Sequence, residues 1–245
     1  MGFARKLATG MLAAMAAAAL SSAAPAAAAS RPTLDASALY RDALASTRSW
    51  SVHYVSTSTQ SKVTLAETGD AGPASGTQTV SAGKGSLDDT ITIDVIGGIT
   101  YVKGNTGGLE ALAGLDAAQA AEASNRWVDF STTNSAFSQV VAGVRSHDVA
   151  TELQLKGRLT LGRPRTLDGL GVEAVDGTQV DPRNRSMHVV LYVRASGTHV
   201  PVEEDSVDTR GRATSALHVV YSHWGEQVRP QAPAGALPLG PVSAV

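Results

Sequence analysis

The sequence predicts a mainly β protein with a smaller helical part: one extended antiparallel sheet, with helices at the start and in the middle of the chain. Three observations carry this expectation. Most of the chain after Trp50 alternates apolar and polar residues with the period of two that a half-buried strand shows. Clusters of Gly, Asn, Asp and Pro punctuate those runs at turn positions. Two stretches revert to the period of an amphipathic helix. With no long linker or charge block to divide the chain, a single domain is expected over residues 30–240, of roughly nine to eleven strands, with residues 241–245 as a short tail.

The first 29 residues are read separately. Arg5 and Lys6 precede an uncharged Ala/Leu/Met run that ends in Ala27, Ala28 and Ala29, the pattern of a signal peptide with a small-residue cleavage site. Ser21, Ser22 and Pro25 interrupt the run, which weighs against the rival reading of a retained membrane anchor. Export is therefore expected, with cleavage near Ala29.

Composition bounds the rest. Hydrophobic residues at 43% and charged residues at 17% lie within the globular range. The whole chain already carries 20 basic against 22 acidic residues, and loss of Arg5 and Lys6 widens the deficit, so nucleic acid is a poor partner. The absence of cysteine removes disulfides, thiolate metal sites, cysteine nucleophiles and lipid attachment through sulfur. Aromatics are scarce, which makes Trp50, Trp127, Trp224, Phe130 and Phe137 the expected packing anchors.

Element by element, TLDASALYRDALASTRSW places Leu39, Ala43, Leu44 and Thr47 on one helical face, with Thr33 or Asp35 to cap it. Trp50, Val52 and Tyr54 then begin a strand. After low-complexity Gly/Ser/Thr hairpins come DTITIDVI and ITYVKG, joined by Gly97 and Gly98, which supply the positive φ of a two-residue turn. LEALAGLDAAQAAEAS reads as one or two short helices, RWVDF as an extended link, and NSAFSQVVAGVRS as a helix with Phe137, Val140, Val141 and Val144 on one face. LQLKGRLTL aligns Leu153, Leu155, Leu159 and Leu161, with a bulge invited at Gly157. VEAVDGTQV, MHVVLYV, HVPVEEDSVDT and RATSALHVVYSHW complete the sheet. Pro230, Pro233 and Pro238 keep the tail from continuing the last strand's ladder, and His223, in phase with Leu217, Val219 and Tyr221, should face inward or mark the rim.

A long sheet with one apolar face must be covered, and the helices are the available cover. Whether they fill the space or leave a cavity is open at this level. The ordered pieces GGITYVKG, RWVDF, LYV…G…PV and WGEQV…AP resemble the actinobacterial LprG and LppX type of cell-envelope lipoproteins, within the LolA-like superfamily, over about residues 34–239. The resemblance implies an unclosed β-barrel, a half-barrel wrapped over amphipathic helices, with an apolar cavity for acylated lipids or glycolipids in transit. Such a carrier needs no catalytic group. Exposing a sixteen-carbon chain to water costs on the order of 13 kcal/mol at about 0.8 kcal/mol per methylene. The departure is Ser30, which stands where those lipoproteins carry the acylated cysteine, so no lipid anchor is expected.

The expected cavity wall comprises Val52, Tyr54, Ile91, Ile93, Val95, Tyr101, Phe137, Val140, Val141, Val144, Leu155, Leu159, Val189, Leu191, Val193, Leu217, Val219 and Tyr221. The six histidines include no HxH or HxxxH pair and there is no GxSxG, so no catalytic residue, metal or cofactor is expected. The predicted function is an exported, monomeric, non-enzymatic lipid or glycolipid carrier with peripheral membrane contact. The alternative is an envelope interaction or sensor module that binds a protein or lipoprotein partner through the same fold.

Overall fold

The computed structural model describes residues 35–60, 62–131, 141, 143–180, 186–208 and 215–238. The expected helix residues Phe137 and Val140, and the N-terminal leader, lie outside the described residues. No helix among the described residues is long and apolar enough to cross a membrane.

Helix α1 (Ala36–Ser49) opens the domain, with the Asp35 carboxylate accepting from the Ser37 and Ala38 amides at 3.4 and 3.1 Å. It buries Leu39, Tyr40, Ala43, Leu44 and Thr47, the face read from the sequence with Tyr40 added. Five strands follow: β1 (Val52–Gln60), β2 (Val63–Ala71), β3 (Gly76–Gly83), β4 (Asp89–Ile96) and β5 (Ile99–Gly104). The β4–β5 turn uses Gly97 at φ 57° and Gly98 at φ 83°, values an L side chain rarely adopts. Two short helices come next. Asn105 caps α2 (Thr106–Ala111), and Asp116 with Gln119 forms a reciprocal capping box on α3 (Ala117–Ala123).

RWVDF is more than a link. Its Val128–Ser131 portion forms β6, which pairs antiparallel with β5. Helix α4 (Ser146–Glu152) precedes β7 (Lys156–Leu161), β8 (Arg165–Leu167), β9 (Leu170–Val180), β10 (Ser186–Arg194), β11 (Pro201–Asp208), β12 (Ser215–Ser222) and β13 (Leu237–Pro238). The leucine run of residues 153–161 is divided accordingly. Leu153 caps α4 and is buried, whereas Leu161 is 37% exposed, because β7 is the sheet's edge and its register shifts between Lys156 and Thr160, around Gly157.

The strands form one sheet in the order β13-β6-β5-β4-β3-β2-β1-β12-β11-β10-β9-β7, with β8 beside β9. The path has two ends and does not close. Every neighbouring pair is antiparallel except β13 on β6. The protein is therefore a mainly β half-barrel with helices against its inner face, and its thirteen strands among the described residues exceed the number read from the sequence. The surplus is in short pieces, β6, β8 and β13, whose two to four residues are too few to show a period.

Two apolar clusters occupy the inner face. The first joins α1, Val149 and Leu153 to Val52, Tyr54, Val175, Leu191, Val193, Val219 and Tyr221. The second joins α2 and α3 to Ile91, Ile93, Val95, Val102, Val128, Phe130 and Val144. The tail does not extend β12, as the prolines foretold, but neither does it stay unpaired. It runs along the strand ends, where the Gly225 amide donates to Ser51 O at 2.9 Å and the Ser75 hydroxyl to Val228 O at 3.4 Å, then lays Leu237 beside Val128 at the far side of the sheet.

Candidate functional site

Between the first cluster and the ends of β1, β9, β10 and β12 lies a cavity of about 610 Å³. The sheet's alternation builds its floor. On β1 the inward residues after Val52 and Tyr54 are Ser56, Ser58 and Gln60, so the apolar stripe turns polar halfway along the strand. Cross-strand register sets Glu67 of β2 opposite Ser56, Ser56 opposite Val219 of β12, and Val219 opposite Glu204 of β11. The two glutamates thus end one transverse row of the floor. From above, α4 contributes Glu152, with Val149 and Thr151. Lys156 is the one basic residue of the wall among the described residues.

These carboxyl groups are held by neutral partners. Tyr221 Oη donates to Glu204 Oε2 at 3.2 Å and Gln179 Nε2 to Glu204 Oε1 at 3.3 Å, while the Ser56 hydroxyl donates to Glu67 Oε2 at 3.2 Å. Gln179 Nε2 also donates to the Glu152 backbone carbonyl at 2.8 Å, tying α4 to β9. Burial pushes Glu204 up to about 7, against the hydrogen bonds from Tyr221 and Gln179 and with Asp205 adding repulsion. Glu152 retains accessible surface and lines the cavity; loss of surrounding water, then repulsion from Glu67 and Glu204, pushes it up to about 8. Burial likewise raises Glu67, partly offset by the Ser56 hydroxyl. The phenols of Tyr54 and Tyr221 are raised by burial and by the same carboxylates.

Tyr54 is 4% exposed, and its hydroxyl has no hydrogen-bond partner among the described residues. Gly69, directly opposite on β2, makes room for the ring: a β-carbon there would sit 2.6 Å from the phenol's Cζ and Oη. The phenol consequently reaches toward α4. Tyr54 Oη and Glu152 Oε2 lie 3.1 and 3.7 Å from the point where a β-carbon on Gly143 would be.

Of the residues expected to line a cavity, Tyr54, Leu217, Val219 and Tyr221 do so here. Val52 lines a second, smaller cavity of about 340 Å³ with His53, Asp70 and His223. Leu191 and Val193 belong to the first packed cluster, with Leu155 and Leu159 half-buried against it, and Val189 is fully buried. Ile91, Ile93, Val95 and Val144 belong to the second cluster, with Val141 packed against it. Tyr101 falls on the opposite face of the sheet from Ile93, because its register partner is Asp94 while Val102 faces Ile93. The sequence reading passed over Glu67, Ser56, Glu152, Gln179 and Glu204. A signal existed in VEEDSVD, where Glu204, Ser206 and Asp208 alternate on one face, buried, and Val207 points out at 42% exposure.

The strand histidines are on the outer face, each beside a carboxylate of a neighbouring strand: His53 Nδ1 to Asp70 Oδ1 at 2.7 Å, His218 Nδ1 to Asp205 Oδ1 at 2.8 Å, and His188 Nε2 to Asp176 Oδ1 at 3.5 Å. Glu203, Asp205 and His218 bring their ligand atoms within 4.8 Å of one another there, in a partly exposed group. His223 does not face inward. It leaves the strand at φ 50°, is exposed, and meets the His53 ring edge-on at 5.4 Å between centroids. Trp224 is an anchor, its indole nitrogen donating to Pro201 O at 3.0 Å.

The chain is thus an open antiparallel half-barrel over short helices, with a cavity between sheet and helices. Two solved structures with this fold are mycobacterial. LprF from Mycobacterium bovis aligns with 82% of this chain and 97% of its own, at 16% identity and TM-score 0.51. The lipoprotein LppX from Mycobacterium tuberculosis aligns with 79% of this chain and 97% of its own, at 18% identity and TM-score 0.51. A LolA superfamily protein from Nitrosomonas europaea covers 80% of this chain and 96% of its own at 13% identity, with TM-score 0.29. No protein-family model matches the chain, and no curated protein matches it in sequence. The shared property is the fold, in which the LprG and LppX type of resemblance read from the sequence is met again.

Proposed function

We propose that this protein is an extracytoplasmic, non-enzymatic carrier that holds an amphiphile in the cavity beneath α4. The observation that supports the reading is the cavity itself, placed between sheet and helix in a fold shared with LprF and LppX. Its volume of about 610 Å³ is within the 300–1,000 Å³ typical of small-molecule sites and suits a single-chain amphiphile better than a multiply acylated one. Val149, Val180, Met187, Leu217 and Val219 offer the apolar contact that a chain requires. The leader read in residues 1–29 and the absence of cysteine from the sequence support an extracytoplasmic place without a sulfur-linked anchor.

Native mass spectrometry and solvent extraction of the purified protein test the reading. Bound amphiphile supports it. A protein that is free of lipid and also fails to bind fluorescent fatty-acyl or alkyl probes would instead be an interaction module.

A further inference from the structure

Among the described residues the cavity wall is poor in cations and rich in acceptors, which constrains the headgroup it can take. We propose, building on the carrier reading, that the occupant is an amphiphile with an ammonium headgroup, seated among Glu67, Glu152, Glu204 and the free hydroxyl of Tyr54. Two independent features converge on this. Three carboxyl groups from three elements, β2, α4 and β11, border one space with no arginine and a single lysine among the described lining residues. Tyr54 Oη, almost fully buried, has no partner among the described residues and reaches the same spot beside Gly143 as Glu152 Oε2.

The chemistry selects a donor. An ionised carboxylate only accepts hydrogen bonds, and a phenol accepts as readily as it donates, whereas an ammonium group supplies three donors and a positive charge. A carboxylate kept from water without a counter-charge is costly, and a cation brought within about 4 Å offsets that cost. A carboxylate or phosphate headgroup would add like charge to the same space. Hydroxyl-bearing headgroups could hydrogen-bond there but would leave the charges unbalanced.

The assignment predicts pH dependence. The groups facing the site are Tyr54 on β1, Glu67 on β2, Asp148 and Glu152 on α4, Lys156 on β7, Glu204 on β11 and Tyr221 on β12, with Asp70 and Asp205 acting from farther off. Of these, Glu204 and Glu152, pushed up to about 7 and about 8, change charge between mildly acidic and mildly basic pH, so a cation should bind more tightly as they ionise and should displace protons as it does.

Calorimetric titration of the purified protein with three probes of equal chain length tests this: dodecylammonium, dodecanoate and dodecyl maltoside, each below its micelle concentration. At pH 8, dodecylammonium should bind at least about tenfold more tightly than either of the others. The preference should shrink at pH 5.5, shrink at least as far in the Glu152→Gln, Glu204→Gln double variant, and disappear when Glu67→Gln is added to that double variant. Glu67→Gln alone, which leaves the other two carboxyls in place, should reduce it in part. Circular dichroism confirms that each variant is folded. Equal or tighter binding of dodecanoate or dodecyl maltoside, or a preference that is undiminished by removing all three carboxylates, would overturn the headgroup assignment and leave the carrier reading standing. Binding of none of the three would remove the carrier reading itself.

Discussion

Single residues decide how this cavity differs from an ordinary apolar core. Glu204, almost fully buried with its carboxyl pushed up to about 7, keeps a proton in the folded protein that the unfolded chain has already released at an ordinary carboxylate value. The folded state therefore binds more protons than the unfolded one between about pH 4.5 and 7, and stability falls as pH rises through that window. In the unliganded protein this residue alone should account for a loss of roughly 3 kcal/mol across the window. Urea midpoints measured at pH 5 and pH 8 should show the decline, and Glu204→Gln should reduce it, the remainder coming from Glu152 and Glu67. Two leucines test where space is free. Leu217→Trp, at the cavity wall, should block probe binding with little change in midpoint. Leu191→Trp, in the packed cluster, should cost about 1–3 kcal/mol through overpacking.

At the scale of elements, the join between helices and sheet is made by few contacts. Tyr40 of α1 donates from its hydroxyl to Leu153 O at 3.0 Å and accepts from the Leu155 amide at 2.6 Å, bridging α1 to the turn between α4 and β7. Tyr40→Phe leaves both backbone groups unpaired and should destabilise by about 1–3 kcal/mol in chemical denaturation. The same scale shows what the sequence made legible. Helix α1, the β4–β5 hairpin, the bulge at Gly157 and the long strands β9, β10 and β12 have strong periods or defining turn residues, and each appears at its expected place. The polar floor was hidden because alternation was read through its apolar phase. On β1 the exposed residue is Val55, at 44%, and the buried one is Ser56, the reverse of the usual assignment. Glu67 and Glu152 were beyond reach for another reason: each becomes part of a site only through its register with Ser56 or its placement on a seven-residue helix.

For the molecule as a whole, the two halves of the sheet are packed differently. The half over α2 and α3 packs Ile91, Ile93, Val102, Leu109, Val128 and Phe130 into one apolar cluster, and the half over α1 and α4 borders the cavity. The tail straps one to the other. A chain ending at Arg229 would lose the bond from the Leu237 amide to Trp127 O and the pairing with Val128. Hydrogen exchange should then quicken in β6, with stability lower by about 1–2 kcal/mol, while β9 and β10 keep their protection.

The arrangement of neighbours in the sheet also sets an order of events. Strands β1 to β6 form a meander in which each pairs with the next in sequence, and β9 to β12 form a second one. The seam between them is β1 against β12, which brings residues 53–60 onto 215–222, and the strap adds 237 and 238 to 128 and 129. Both meanders can be assembled from local contacts as the chain emerges, but Tyr54 has no wall beside it until Tyr221 arrives. The cavity thus exists only after both meanders, and an emerging chain would offer a sticky, half-made seam rather than a premature binding site.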